Sequence, residues 1–178
     1  MQQRILLTDQ KIEVITRRLC QQLMEHHGNF ADTAIIGLQP RGVLYARKLH
    51  REVCEQTRNS HILYGDLDTT FYRDDFRRGN DIPSAKSLNI PFSVEGLNVV
   101  MVDDVLYTGR SVRAALDALN DFGRPARVQL LVLIDRRYSR ELPVSPDFIG
   151  CEVDSRANQK VKVEWDGAEG NKVWILEE

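Results

Sequence analysis

Hydrophobic residues recur along this chain in two patterns, which predict buried strands and amphipathic helices in alternation. Short, almost wholly apolar runs are typical of strands covered on both faces, and they occur at 33–38, 99–102 and 128–134. Apolar residues three or four positions apart predict helices at about 9–28, 43–55 and 111–122. Strands that alternate with helices indicate an α/β fold, with a mainly parallel sheet flanked by helices.

Weaker patterns predict one further strand and a terminal hairpin. Partial alternation at 61–72 indicates a strand with one exposed face. Alternation at 161–165 and again at 173–176, with a glycine-containing turn between them, predicts a hairpin near the C-terminus.

Charged, irregular segments follow the predicted strands and are candidates for the walls of a site. Three of them lie at 39–42, 103–111 and 135–143. A longer one, at about 71–89, has no apolar period and is predicted to be a flexible lid loop. Because ligands bind beyond the C-terminal ends of parallel strands, we expect one site assembled from these four loops.

Length and composition narrow the class of protein. The 178 residues suit one domain spanning 1–178, and a net charge of −2 gives no general attraction to nucleic acid. Cys20, Cys54 and Cys151 are too far apart for a metal-ligand motif, and are expected to be reduced thiols in a cytoplasmic protein. No run approaches 18 apolar residues, so no membrane span is predicted.

The stretch at 99–111, Val-Val-Met-Val-Asp-Asp-Val-Leu-Tyr-Thr-Gly-Arg-Ser, carries the most specific chemistry. Two carboxylates directly after a buried strand are costly unless hydroxyls, a metal or strong donors satisfy them. A glycine-containing turn at the start of a helix presents backbone amides to an anion. The two features predict a site for a ligand with hydroxyls beside a phosphate, such as ribose 5-phosphate. The glycine spacing matches neither a dinucleotide-binding motif nor a P-loop.

This stretch resembles the phosphoribosyl-diphosphate (PRPP) motif of type I phosphoribosyltransferases. Further segments narrow the resemblance: Phe-Tyr-Arg-Asp-Asp at 71–75, Asp-Ala-Leu-Asn-Asp-Phe-Gly-Arg-Pro at 117–125 and Arg-Glu-Leu-Pro at 140–143. Together they are similar to the PyrR family, whose members are pyrimidine operon regulators and uracil phosphoribosyltransferases. The similarity runs from about Leu7 to the C-terminus. It implies the type I phosphoribosyltransferase fold and conversion of uracil and PRPP to UMP and diphosphate.

The resemblance also implies roles for individual residues. Asp103 and Asp104 are expected to bind the ribose hydroxyls, Arg41 the diphosphate, and Arg73 on the lid the charge of the leaving group. These four form the expected catalytic set. The remaining expected substrate-binding residues are Gly42, Val105, Leu106, Tyr107, Thr108, Gly109, Arg110, Ser111, Asp135 and Arg136. Mg²⁺ is expected to be held mainly through PRPP oxygens, with no metal site made by the protein.

The base is expected to lie under a small hood at about 135–165. Many transferases of 6-oxopurines have an aspartate at the position of Tyr107, where it meets the purine N7. A phenol cannot take that role as a base at neutral pH. Tyr107 therefore favours a pyrimidine over hypoxanthine or guanine.

Regulators of the family bind leader RNA of the pyrimidine operon through a basic face of a homodimer or larger oligomer. Arg17, Arg18, Arg137 and Arg140 are the corresponding candidates in this chain. Two departures bear on this role: Gln39-Pro40 stands where the family commonly has Lys-Thr, and the segment after Asp135 lacks a histidine and has one extra residue. Two alternatives therefore stay open, a nucleotide-sensing RNA-binding protein with little turnover and a phosphoribosyltransferase for another base.

Overall fold

A computed structural model describes residues 3–69, 72, 89–156, 158–168 and 170–177. These ranges contain eight strands, three α-helices and one 3₁₀ helix, joined by loops and turns. In chain order they are β1 (Gln3–Leu7), α1 (Asp9–His27), β2 (Thr33–Leu38), α2 (Gly42–Thr57), β3 (Leu63–Leu67), β4 (Asn98–Leu106), α3 (Arg110–Leu119), the 3₁₀ helix (Asn120–Phe122), β5 (Arg127–Arg137), β6 (Phe148–Asp154), β7 (Gln159–Glu164) and β8 (Lys172–Glu177).

The central sheet has five parallel strands in the order β3-β2-β4-β5-β6. Successive residues of its strands point to opposite faces, so Val100 packs with α1 and α2 while Val99 and Met101 pack with α3. Helices on both faces explain why the middle strands are apolar throughout. The predicted type I phosphoribosyltransferase fold is confirmed in this arrangement.

A second sheet of three antiparallel strands, in the order β1-β8-β7, packs beside the first. Its inward residues Leu7, Val161 and Val173 share the core that α1 and α2 form with the central sheet. Strands β7 and β8 confirm the predicted hairpin. Strand β1 was not predicted, because its residues gain a partner only when the distant C-terminus returns beside them.

Three predictions about strands need correction. Strand β4 continues to Leu106, so Asp103 and Asp104 lie within it and not in the predicted loop at 103–111. Strand β5 continues to Arg137, so Asp135 and Arg136 lie in a strand and not in the predicted loop. Strand β6 makes this extension possible, since it pairs with β5 as far as Arg137. Its own sequence has no long apolar run and includes Gly150, where a Cβ would lie 2.4 Å from the Leu133 oxygen. The predicted strand at 61–72 is shorter than expected, because β3 ends at Leu67.

The parallel arrangement brings the C-terminal ends of β2, β4 and β5 to one edge of the sheet. The predicted lid at 71–89, with Arg73, lies almost wholly outside the described residues. No helix in the described ranges is long and apolar enough to cross a membrane.

Candidate functional site

A cavity of about 480 Å³ opens at the C-terminal edge of the central sheet. The loop after β2, the end of β4 with the turn that follows it, the end of β5 and the start of β7 form its walls. Its lining residues are Gln39, Pro40, Arg41, Asp103, Asp104, Val105, Tyr107, Ser111, Arg136, Asn158, Gln159, Lys160 and Val161. Seven of the predicted site residues therefore line this one cavity: Arg41, Asp103, Asp104, Val105, Tyr107, Ser111 and Arg136.

The two adjacent aspartates lie near the C-terminal end of β4. Asp103 accepts a hydrogen bond from the amide of Asp104, with 2.8 Å between Oδ1 and N. Asp104 is only 4% exposed, and its Oδ2 has no hydrogen-bond partner among the described residues. A buried carboxylate oxygen without a donor costs free energy, and a ligand hydroxyl would satisfy it.

Burial raises the pKa of both carboxyl groups. For Asp103 the negative charge of Asp104 adds to burial, and the pKa rises well above its ordinary value. For Asp104 burial again dominates, and the positive charge of Arg41 opposes it. The cavity therefore carries a carboxylate pair that holds protons more tightly than exposed aspartates do.

This pair predicts a specific dependence of stability on pH. An ordinary aspartate has a pKa of about 3.9, so the unfolded chain releases these protons at lower pH than the folded chain. The resulting stabilisation is present below that ordinary pKa and is lost as pH rises through the higher pKa of the folded pair. We expect the melting temperature of Asp103→Asn, relative to that of the wild type, to increase as pH rises through this window. A difference in melting temperature between the two proteins that stays constant across this pH window would contradict the raised pKa values.

The turn after β4 is shaped to hold an anion. We call residues 107–111 the phosphate loop. Gly109 has a φ of 91°, a conformation that favours glycine, and it directly precedes α3. A smaller cavity of about 160 Å³ lies against the loop, lined by Asp103 and residues 105–112. Backbone amides and the positive end of the helix dipole suit a phosphate there.

The loop after β2 lies tightly against the end of β4. It contains a cis peptide bond between Gln39 and Pro40, and the Gln39 amide donates to the Leu67 oxygen at 3.0 Å. At Gly42 a Cβ would lie 2.6 Å from the Val102 oxygen. Only glycine permits this approach, which carries Arg41 to the rim of the cavity beside the aspartates.

Arg136 forms the opposite wall. It is buried, and its guanidinium lies over the Tyr107 ring, 4.0 Å from the ring centroid. It donates to Ser155 Oγ and to the Gln159 oxygen, both at 2.8 Å. Burial lowers the pKa of Arg136 below its ordinary value. A buried cation held by neutral oxygens and a ring presents donors to an oxygen-rich ligand.

No individual role was predicted for four further lining residues, Asn158, Gln159, Lys160 and Val161, although they fall within the predicted hood at about 135–165. They begin β7, more than 50 positions after the aspartates, and enter the cavity because the hairpin returns across the end of β5. Nothing in their residue types indicates a site. The segment after Arg137, by contrast, does not line the cavity and lies behind the phosphate loop.

Asp135 also lies outside the cavity lining. Its buried carboxylate pairs with Arg140. Five other predicted site residues within the described ranges also lie outside the lining of the larger cavity: Gly42, Leu106, Thr108, Gly109 and Arg110. All of these but Gly42 line the smaller cavity at the phosphate loop.

The four arginines predicted to bind RNA differ in how many hydrogen bonds and ion pairs they form with other residues of the chain. Arg18 donates to the Gly150 and Ile149 oxygens, at 2.5 and 3.2 Å. Arg137 pairs with Asp154 at 2.6 Å, and Arg140 is held by acceptors inside the protein. Arg17 is exposed on α1 and has no hydrogen bond or ion pair with any residue that the structure describes.

The described side chains around the cavity offer few oxygen ligands for Mg²⁺. The described residues contain no cluster of three or more metal-ligating side chains. The Oδ2 of Asp104 has no hydrogen-bond partner among the described residues, and one such oxygen suits a cation that keeps most of its ligands from substrate and water. The residues present therefore fit Mg²⁺ carried by a diphosphate ligand.

Sequence and structure comparisons place the chain in a family. The phosphoribosyl transferase domain family matches residues 2–166. The bifunctional protein PyrR of Listeria welshimeri is 41% identical over 92% of this chain and 90% of the relative. That of Bacillus subtilis is 36% identical over 99% of this chain and 98% of the relative. The chain belongs to the PyrR family.

This membership of the PyrR family confirms the resemblance drawn from the motifs. Among solved structures, a hypoxanthine phosphoribosyltransferase of Trypanosoma cruzi has a TM-score of 0.71 at 18% identity, covering 98% of this chain and 96% of its own. One of Staphylococcus aureus has a TM-score of 0.67 at 18% identity, over 86% of this chain and 79% of its own. At these identities the likeness to the purine enzymes concerns the fold alone.

Proposed function

We propose that this chain is a uracil phosphoribosyltransferase, which joins uracil N1 to C1′ of PRPP and releases diphosphate. The observation that carries the proposal is the buried Asp104 oxygen, which has no hydrogen-bond partner among the residues that the structure describes and whose side chain lines one cavity with the phosphate loop and Arg136. Membership in the PyrR family supports the same activity. The cavity volume of about 480 Å³ gives room for a ribose with its base.

In this proposal each wall of the cavity has a task. Asp103 and Asp104 accept hydrogen bonds from the ribose hydroxyls, and the phosphate loop binds the 5′-phosphate. These contacts fix C1′ while its bond to the diphosphate oxygen breaks and its bond to N1 forms, with the N1 proton released to solvent. Arg41 meets the negative charge that develops on the leaving group. Bound Mg²⁺, held chiefly by PRPP, supplies further charge neutralisation on the diphosphate.

The test is UMP formation from uracil and PRPP, with orotate, hypoxanthine and adenine as competing bases. We expect product with uracil and little with the others. Product with a different base would identify a phosphoribosyltransferase of another specificity. Tight UMP binding without turnover of any base would identify a nucleotide-sensing protein and contradict the enzyme.

We propose that Arg136 donates a hydrogen bond to a carbonyl oxygen of uracil, because a guanidinium can donate hydrogen bonds but cannot accept them. We expect Arg136→Met to raise the KM for uracil by about tenfold, which corresponds to one charge-assisted hydrogen bond of roughly 1.5 kcal/mol. The KM for PRPP should change little. Steady-state kinetics with each substrate varied in turn checks this, and an unchanged KM for uracil would remove Arg136 from base recognition.

A second function, binding of pyrimidine leader RNA, is also proposed. Family membership supports it, and exposed Arg17 offers a guanidinium that can reach a phosphate. We expect Arg17→Gln to weaken RNA binding and to lower the slope of log affinity against log salt by about 0.7–0.9, as the loss of one phosphate contact requires. Arg140→Gln should leave that slope unchanged, because its donors are used inside the protein.

Filter binding at several salt concentrations measures these slopes. Arg124→Gln is a matched control, since Arg124 precedes β5 at the edge of the sheet opposite the cavity. An Arg17→Gln slope equal to that of this control would show that Arg17 contacts no phosphate.

Assembly and location complete the proposal. We propose a homodimer or larger homo-oligomer, which sedimentation velocity would test. The three cysteines are free thiols, which supports a cytoplasmic location.

A further inference from the structure

The segment Arg140–Val144, which we call the brace, packs against the rear of the phosphate loop. The amides of Glu141 and Leu142 both donate to the Thr108 oxygen, at 3.0 and 3.2 Å. A Cβ at Gly109 would lie 3.3 Å from Val144 and 3.4 Å from Leu142, so the brace leaves the loop little room to move backwards. The loop is therefore held by a segment 33 residues further along the chain.

Arg140 is the side chain through which the brace reaches the start of the loop. Its guanidinium donates to the Tyr107 oxygen and to the Asp135 carboxylate. It also donates to the Val144 oxygen at 3.1 Å and to the Arg136 oxygen at 3.4 Å. Only 22% of the side chain is exposed. Arg140 thus joins the end of β5 to the phosphate loop and has few donors left for a surface ligand.

The consequence for the loop follows from the geometry of a peptide bond. A trans peptide is planar, with its C=O and N–H pointing in opposite directions. Arg140 draws the Tyr107 carbonyl to the rear, so the N–H of Thr108 points forward. The Glu141 and Leu142 amides draw back the Thr108 carbonyl and direct the N–H of Gly109 forward in the same way. Neither forward amide is taken by a backbone acceptor within the described residues.

We propose that Arg140 is a positioning residue, which aims the Thr108 amide at the 5′-phosphate by holding the Tyr107 carbonyl. The inference rests on the proposed function, since it assigns the phosphate of PRPP and UMP to this loop. The sequence places Arg140 among the candidates for RNA contact. The proposal assigns it a role in substrate binding. Asp135 shares that task, because its buried carboxylate orients the guanidinium.

The experiment compares ligands that differ only in the phosphate. Calorimetric titration of wild type and Arg140→Met with UMP and with uridine separates phosphate binding from binding of the nucleoside. We expect the affinity for UMP to fall about tenfold in the variant and the affinity for uridine to stay the same. The KM for PRPP should rise with kcat nearly unchanged.

Two further variants sharpen the result. Arg140→Lys keeps the charge, but one ammonium cannot reach all the oxygens that the guanidinium joins, so we expect partial recovery of UMP affinity. Arg124→Met removes an arginine at the opposite edge of the sheet and should bind both ligands as the wild type does.

Equal losses for UMP and uridine would show that Arg140 only supports the fold and would overturn the proposal. Wild-type affinity of Arg140→Met for UMP would overturn it as well. Failure of the wild-type protein to bind UMP or PRPP would instead contradict the proposed function, and with it the phosphate site.

Discussion

Asp104→Asn is expected to lower kcat/KM for PRPP by about 100- to 1,000-fold while the protein remains folded. The substitution keeps the shape of the side chain but removes the charge of the buried oxygen, which has no hydrogen-bond partner within the described part of the chain. Charge-assisted hydrogen bonds to the ribose hydroxyls would be lost at the point where C1′ must be fixed. About 3–4 kcal/mol of transition-state stabilisation corresponds to a rate loss of this size.

The same substitution is expected to stabilise the empty protein. A buried carboxylate whose pKa is raised costs free energy at neutral pH, and a neutral amide reduces this cost. Opposite effects on activity and stability are characteristic of residues placed for function. Thermal unfolding at pH 7 and kinetics with varied PRPP measure both quantities on one preparation.

Asp147→Asn is the matched control. The Asp147 carboxylate lies at the far edge of the sheet and accepts a hydrogen bond from the Leu130 amide at 2.8 Å. Its substitution should lower the melting temperature slightly and leave kcat/KM unchanged. If Asp104→Asn behaves as this control does, the ribose is not bound by Asp104.

The contrast between predicted and unpredicted parts of the site has a physical origin. Asp103, Asp104 and the phosphate loop are contiguous in the chain, so their chemistry can be seen in one stretch of sequence. Residues 158–161 reach the cavity only because β7 pairs with β8 and crosses the end of β5, and no local pattern encodes that return. The side-chain pairing of Asp135 with Arg140 is equally invisible, since either residue alone suggests a ligand contact.

The same distinction holds for the fold. Strands β2, β4 and β5 are buried on both faces, and their apolar runs predict them directly. Strands β1 and β6 lie at sheet edges, where fewer neighbours require apolar residues and pairing with distant segments decides the structure. The extension of β5 to Arg137 depends on β6, so missing one strand also placed Asp135 and Arg136 in a loop.

Gly42→Ala is expected to reduce activity about 100-fold with only a modest loss of stability. A Cβ at this position would lie 2.6 Å from the Val102 oxygen and 2.8 Å from Asp103 Oδ1. Strand β4 is paired on both sides and cannot retreat, so the start of α2 must move away and carry Arg41 with it. A displacement of about 1 Å in a positioned group can cost roughly 100-fold in rate.

The stability of this variant reflects two opposing effects. Overpacking costs about 1–3 kcal/mol, and replacing glycine by alanine in a helix returns up to about 1 kcal/mol. Gly28→Ala provides the comparison, because Gly28 has a φ of 57° and nothing within 4 Å of its added Cβ. Its backbone, with φ 57° and ψ −113°, lies in a region that L residues rarely adopt, and should cost alanine about 1–3 kcal/mol without moving the site.

Two variants of similar stability should therefore differ widely in activity. Chemical denaturation gives the free energy of unfolding of each, and initial rates at varied PRPP give kcat/KM. We expect Gly28→Ala to retain wild-type kinetics and Gly42→Ala to lose mainly PRPP-dependent activity. Equal activity in the two variants would show that the close approach of the loop after β2 to the end of β4 is not needed for the reaction. A selective loss in Gly42→Ala would show that this approach sets the distance between Arg41 and the aspartates.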